Sequence, residues 1–217
     1  TIKNKIKNIN YTIDQDGLKS IQLHDLFDTN SNVFSFLTSK YLIDKVSNYL
    51  GCIPILTNSS VWYSENKEKF SNSSQEFHLD HEDLRQIKGF LYLDDVDENN
   101  GAMNLFSSDS SNKVIREINY NTSPEKKRLK DDTFVKYKSE KIICEGKKGT
   151  LYLVDTSQCF HCGARKSSKS RLLINFQFIT PWANYLKWDW KKSEIIKKNN
   201  WKIKNLNEIQ RKVLGLN

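Results

Sequence analysis

The chain has 217 residues, 37% hydrophobic and 28% charged, with only 8 Gly and 3 Pro, a composition that supports a buried core and excludes collagen-like or linker-like behaviour. Its longest apolar runs, Leu172 to Asn175 and Phe176 to Phe178, fall far short of the roughly 20 residues of a membrane span. Four cysteines at uneven spacing exclude a secreted disulfide scaffold, and the net charge of +8 raises an acidic partner such as nucleic acid.

From the start, no basic region leads into an apolar stretch, so a secretory signal is not expected, and the cysteine pattern makes a reducing cytoplasmic location the expectation. The first third reads as mainly helical, with one β segment at its end. Val33 to Leu50 places Phe34, Phe36, Leu37, Tyr41, Leu42, Val46, Tyr49 and Leu50 close to the helical period, and Gly51 supplies a stop. Ile53 to Tyr63 reads as extended, and Lys67 to Ser74 as a polar loop.

Short β runs then follow. Ile87 to Leu93 leads into an acidic turn, Asp94 to Gly101, and Ala102 to Phe106 extends again. Ser123-Pro124-Glu125 reads as a helix start, with a charged segment running toward Tyr137. Lys141 to Cys144, Gly149 to Val154 and Leu172 to Thr180 are three further β runs. The expected architecture is mainly β with peripheral helices, an antiparallel sandwich or jelly roll. One domain is expected over 1–217: a helical part to about 50, a core over 52–180 and a basic tail over 183–217.

Chemistry concentrates in two places. His78-Leu79-Asp80 in an extended segment puts an imidazole and a carboxylate on one face. Such a pair is common by chance and says little alone. Downstream, Asp155 to His161 lies between two β runs, and Arg171 opens the second of them ten residues after His161. Two histidines and one carboxylate with open positions form the facial triad of non-haem Fe(II) oxygenases, and a fixed guanidinium suits the far carboxylate of 2-oxoglutarate.

These blocks resemble a known family. Ser74-Gln-Glu-Phe-His-Leu-Asp-His-Glu-Asp83, continuing into Lys88 to Gly101, and Gly149 to Thr156 followed by His161 and Arg171, look like the phytanoyl-CoA dioxygenase-like family of Fe(II)/2-oxoglutarate oxygenases. The resemblance spans roughly Tyr49 to Thr180. It implies a double-stranded β-helix (a cupin-like jelly roll), with His78, Asp80 and His161 as catalytic iron ligands and Arg171 gripping the C5 carboxylate. It further implies O₂ as co-substrate, hydroxylation of a small molecule, and release of succinate and CO₂. The sequence departs from the family at Ala102, where Pro is usual, at Ser107-Ser108-Asp109-Ser110, where a Pro-Gly-Ser-His turn is usual, and at Phe77, where Trp is common. Nothing points to a CoA thioester.

Several neighbours carry second readings. His81-Glu82-Asp83 repeats the His-x-Asp pattern in a shifted register, and the family match favours His78 over it. Cys159 and Cys162 resemble half a zinc site without a second pair; as flanks of His161 they are candidates for oxidation. Gln75 and Asn58 are candidates for a second 2-oxoglutarate contact, Trp62 is expected in or beneath the pocket, and His24 reads as a loop residue. From Ala183 onward nine basic residues face three acidic ones, which accounts for +6 of the net charge. A solvated basic face is the simpler reading of that tail, with no nucleic acid as partner, and Trp182, Trp188, Trp190 and Trp201 read as its packing residues. The alternative function is a non-catalytic jelly-roll binding protein of the same fold.

Overall fold

The computed structural model describes residues 12–13, 18–65, 74–120, 128–163, 167–183, 201–202 and 205–216. The helix start at Ser123, most of the Lys67 to Ser74 loop, and Trp188 and Trp190 lie outside them. Two antiparallel sheets form the body. The larger uses β1 (Thr12–Ile13), β2 (Lys19–Gln22), β3 (Ile55–Ser64), β4 (Gln86–Tyr92), β7 (Leu151–Val154) and β9 (Arg171–Ile179), in the order β1-β2-β3-β9-β4-β7. The smaller uses β5 (Met103–Leu105), β6 (Ile142–Cys144) and β8 (His161–Cys162), in the order β6-β5-β8. This is the jelly roll expected from the run of short strands.

Alternation along the central strands explains the layering. Every second residue, Ile87 on β4 and Leu172, Ile174 and Phe176 on β9, packs with the N-terminal helices in the largest apolar cluster. Phe90, Tyr92 and Leu173 point the other way, toward Met103, Leu105 and Cys144 of the smaller sheet. Gly89 pairs with Phe176, whose ring fills the space a side chain would take; an added Cβ would lie 2.0 Å from it. Gly89→Ala should therefore overpack a fully buried contact and destabilise the fold by about 1–3 kcal/mol, readable in a urea melt.

Three departures from the sequence reading have local causes. The helix expected over Val33 to Leu50 is two helices, α2 (Asn32–Leu37) and α3 (Lys40–Leu50), following a short α1 (Leu23–Leu26). Ser39 adopts an extended conformation and its hydroxyl accepts from Leu42 N–H at 3.3 Å, so it caps a new helix instead of continuing the old one. Gly51 ends α3 at φ 75°, as its position suggested. The N-terminal third also contains β2, which pairs with β3 along Lys19 to Gln22; it buries only Ile21, too little apolar pattern to read as a strand.

The third departure is α4 (Ser108–Glu117), which begins in the serine-rich stretch that replaces the family's usual turn and to which the sequence reading assigns no element. Ser107 caps it, accepting from Ser110 N–H, and Val114 anchors it in an aromatic cluster with Phe106 and Phe160. The charged segment before Tyr137 is a run of 3-10 turns over Asp131–Glu140. The described residues of the tail include several that are buried. Trp201 is buried against Phe34, and Val213 of α5 (Glu208–Val213) with Leu214 joins the main core, whereas Trp182 is exposed. No helix among the described residues is long and apolar enough to cross a membrane.

Candidate metal centre

His78 and His161 are brought together by backbone pairing. His78 N–H donates to His161 O at 3.0 Å and His161 N–H donates to His78 O at 3.1 Å, an isolated antiparallel bridge at the edge of β8. Residues exchanging both bonds sit directly opposite and project to the same face, so the two rings lie with centroids 4.3 Å apart. Asp80, two residues on, is fixed by its own N–H to Thr156 O at 2.9 Å and returns to that face. The period-2 reading of His-x-Asp holds even though the segment is a pair of bridges and not a full strand.

Upstream packing sets the register of this bridge. The buried Ser111 hydroxyl of α4 accepts from Phe160 N–H at 2.9 Å, and Phe106 N–H donates to Phe160 O at 2.9 Å. The residue before His161 is thus held on both sides. Phe77 exchanges a second pair of backbone bonds with Leu129, which pins the segment carrying Arg128 alongside the His78 segment.

The ligating atoms of His78, Asp80 and His161 all lie within 4.8 Å of one another, and all three residues are buried. Each imidazole has Nδ1 against a backbone carbonyl, Glu76 O at 2.9 Å for His78 and Cys159 O at 3.0 Å for His161. A carbonyl only accepts, so Nδ1 carries the proton and Nε2 keeps its lone pair. Both Nε2 atoms face Asp80, at 3.9 Å from Oδ1 for His78 and 3.5 Å from Oδ2 for His161. Burial lowers the pKa of both rings, most for His78, where the His161 ring adds to the effect. Both are therefore neutral donors. Burial pushes the Asp80 carboxyl up, but the Lys88 ammonium and the two rings reverse this and hold it well below the usual carboxylate range. Two neutral imidazole donors and one carboxylate on one face suit a divalent transition-metal ion.

The triad opens into a cavity of about 260 Å³, which Arg171, Gln75 and Trp62 also line. Arg171 begins β9 and is paired in register with Ser64. The acidic turn positions it: Asp97 and Asn100 form a reciprocal cap, Asn100 reaches Ser170 O, and Arg171 Nη1 donates to Gly101 O at 2.6 Å. Its buried Nε has no hydrogen-bond partner. A guanidinium 6% exposed with an unpaired N–H beside an open cavity is matched to an anionic ligand.

Other expected residues are placed elsewhere. Asn58 sits on β3 beside a bulge, opposite Gln177, and does not line this cavity. His81 does not join the triad, and Asp83 of the rival register is used to accept from Thr180 and Leu84 backbone N–H groups. No cysteine joins a metal-ligating group among the described residues. Cys162 is buried in the aromatic cluster, and burial, with help from Asp155, pushes the Cys159 thiol up to about 11, so Cys159 is not set up as a reactive thiolate. His24 lies edge-on to Trp201, 6.5 Å away, against the core. Two cations in the cavity, Lys88 and Arg128, were not singled out from sequence. A lysine at the inward position of Ile87-Lys88-Gly89-Phe90-Leu91-Tyr92 was a readable signal; Arg128 had none.

Comparison by sequence returns no matching family model and no matching curated protein. Solved structures do match. HygX from Streptomyces hygroscopicus, crystallised with nickel and 2-oxoglutarate, aligns with TM-score 0.55 at 13% identity over 83% of this chain and 77% of its own. The non-haem α-ketoglutarate-dependent epimerase SnoN from nogalamycin biosynthesis aligns with TM-score 0.53 at 14% identity, over 82% of this chain and 69% of its own. The carbocyclase SnoK of the same biosynthesis aligns with TM-score 0.53 at 11% identity, over 82% and 70%. At such identities the likeness establishes the fold.

Proposed function

We propose that this chain is an Fe(II)- and 2-oxoglutarate-dependent dioxygenase that hydroxylates a small-molecule substrate. The observation that carries the reading is the pairing, in one cavity, of the His78–Asp80–His161 cluster with the buried, incompletely bonded Arg171. The structural neighbours HygX, SnoN and SnoK support it, since their shared fold is used by 2-oxoglutarate-dependent enzymes. A pure binding protein of this fold would need neither an intact triad nor a buried arginine.

When bound, iron supplies the activation of O₂ that oxidises 2-oxoglutarate to succinate and CO₂ and the substrate at a C–H bond. The chain's own residues do the rest. His78, Asp80 and His161 would hold the ion through Nε2, a carboxylate oxygen and Nε2, with Glu76 and Cys159 carbonyls fixing ring orientation. Arg171 would pair with the C5 carboxylate, and Gln75, buried and lining the same cavity, would give a second polar contact. Trp62, Phe90 and Leu173 form an apolar wall that excludes water from the reacting face.

Anaerobic addition of Fe(II) and 2-oxoglutarate should produce the weak metal-to-ligand absorption band in the green, and His78→Ala should abolish it. Survival of the band in both His78→Ala and Arg171→Ala would overturn the site. Succinate formation under O₂ then separates an enzyme from a binder of the same shape.

A further inference from the structure

We propose that Lys88 is a positioning residue that occupies Asp80 in the metal-free protein and thereby sets how tightly the centre takes a divalent cation; this rests on the metal reading above. Strand register forces the lysine inward. Ile87 and Leu91 on β4 face the helices, so Lys88 shares the opposite face with Phe90 and Tyr92, which line the cavity. Its Nζ donates to Asp80 Oδ2 at 2.6 Å, with the lysine side chain only 14% exposed and that of Asp80 5%. The same Oδ2 lies 3.5 Å from His161 Nε2, so the ammonium is held at the oxygen that faces one of the nitrogen ligands.

A buried carboxylate between two neutral rings needs a cation, because an uncompensated buried charge is strongly unfavourable. In the metal-free protein Lys88 is that cation. A divalent ion at the triad would be a second one on the same carboxylate, and like charges at that range repel. Lys88 therefore works in opposite directions in the two states: it stabilises the empty centre and opposes filling it. A residue that merely supported the fold would move both properties the same way.

The test is a Co(II) titration of metal-stripped protein, followed calorimetrically, beside the thermal midpoint of the same stripped samples. Lys88→Met should tighten Co(II) binding about tenfold or more while lowering the metal-free midpoint by about 6 °C or more. Lys88→Arg, which keeps the cation, should restore the midpoint and the weaker affinity. If Lys88→Met fails to fold, Lys88→Gln keeps a hydrogen bond without the charge and should show the same tightening. Unchanged or weaker binding in a folded uncharged variant would overturn the role of Lys88 alone, provided wild type binds Co(II) and His78→Ala does not. If wild type takes up no Co(II), the metal reading fails and this proposal with it.

Discussion

Arg171→Met should weaken 2-oxoglutarate binding on the order of a hundredfold while leaving divalent-metal uptake intact. The guanidinium is buried, fixed by its bond to Gly101 O, and keeps an unpaired Nε, so the ligand carboxylate would complete a set that the protein leaves incomplete. Removing one partner of a buried, hydrogen-bonded charge pair costs about 2–5 kcal/mol, the range from which the hundredfold figure comes. The loss should appear in the 2-oxoglutarate KM for succinate formation, with a smaller change in kcat. The same substitution removes a desolvated charge, and methionine nearly fills the volume. The ligand-free protein should therefore melt at the same temperature or higher, a trade of stability for function common at binding sites. A lower midpoint with unchanged 2-oxoglutarate affinity would make Arg171 a structural residue and nothing more.

How much of this was legible in the sequence depended on whether a residue's partner was local. His78 and Asp80 were readable because period-2 geometry needs no tertiary information, and Arg171 because it opens an unmistakable β run. That His161 lies directly across the bridge from His78 was not readable, since the pairing is fixed by remote anchors: the Ser111 hydroxyl, the Phe106–Phe160 bond and the Phe77–Leu129 bridge. Serine hides a helix start twice for one physical reason. At Ser39 and Ser107 its hydroxyl satisfies a helix's first N–H groups, so a residue with poor helix propensity starts a helix. The inward position of Lys88 is legible in the alternation of its β run, but its partner is not, since the Asp80 carboxylate lies eight residues away in a separate segment. Trp201 and Val213 were hidden by the charge around them, which masks the few apolar positions that dock a tail.

His161→Ala should abolish the stabilisation that a divalent metal confers and remove part of the protein's acid sensitivity. Four-ligand structural zinc sites are worth about 10–16 kcal/mol, so one ligand is worth about 2.5–4 kcal/mol and its loss weakens binding on the order of a hundredfold or more. Wild type in metal at about 100 times its Kd gains about 2.7 kcal/mol, about 5–10 °C for a chain of this size, and the variant should gain almost none. The acid limb follows from the same burial. His78 and His161 have folded-state pKa values below their unfolded ones, so as pH falls below about 6.5 the unfolded chain takes up protons that the folded chain refuses, and stability drops. The Asp80 carboxyl, depressed when folded, adds a second loss that begins below about pH 4. Melting temperatures of metal-stripped protein should thus be level above pH 7, fall from about 6.5 downward, and fall less steeply in His161→Ala. Saturating metal should move the wild-type limb to lower pH, because an occupied Nε2 cannot bind a proton until the ion leaves. A metal-stripped profile that stays flat to pH 5 would show that the two rings are not held neutral by burial, and with that the donor set inferred for the centre would fail.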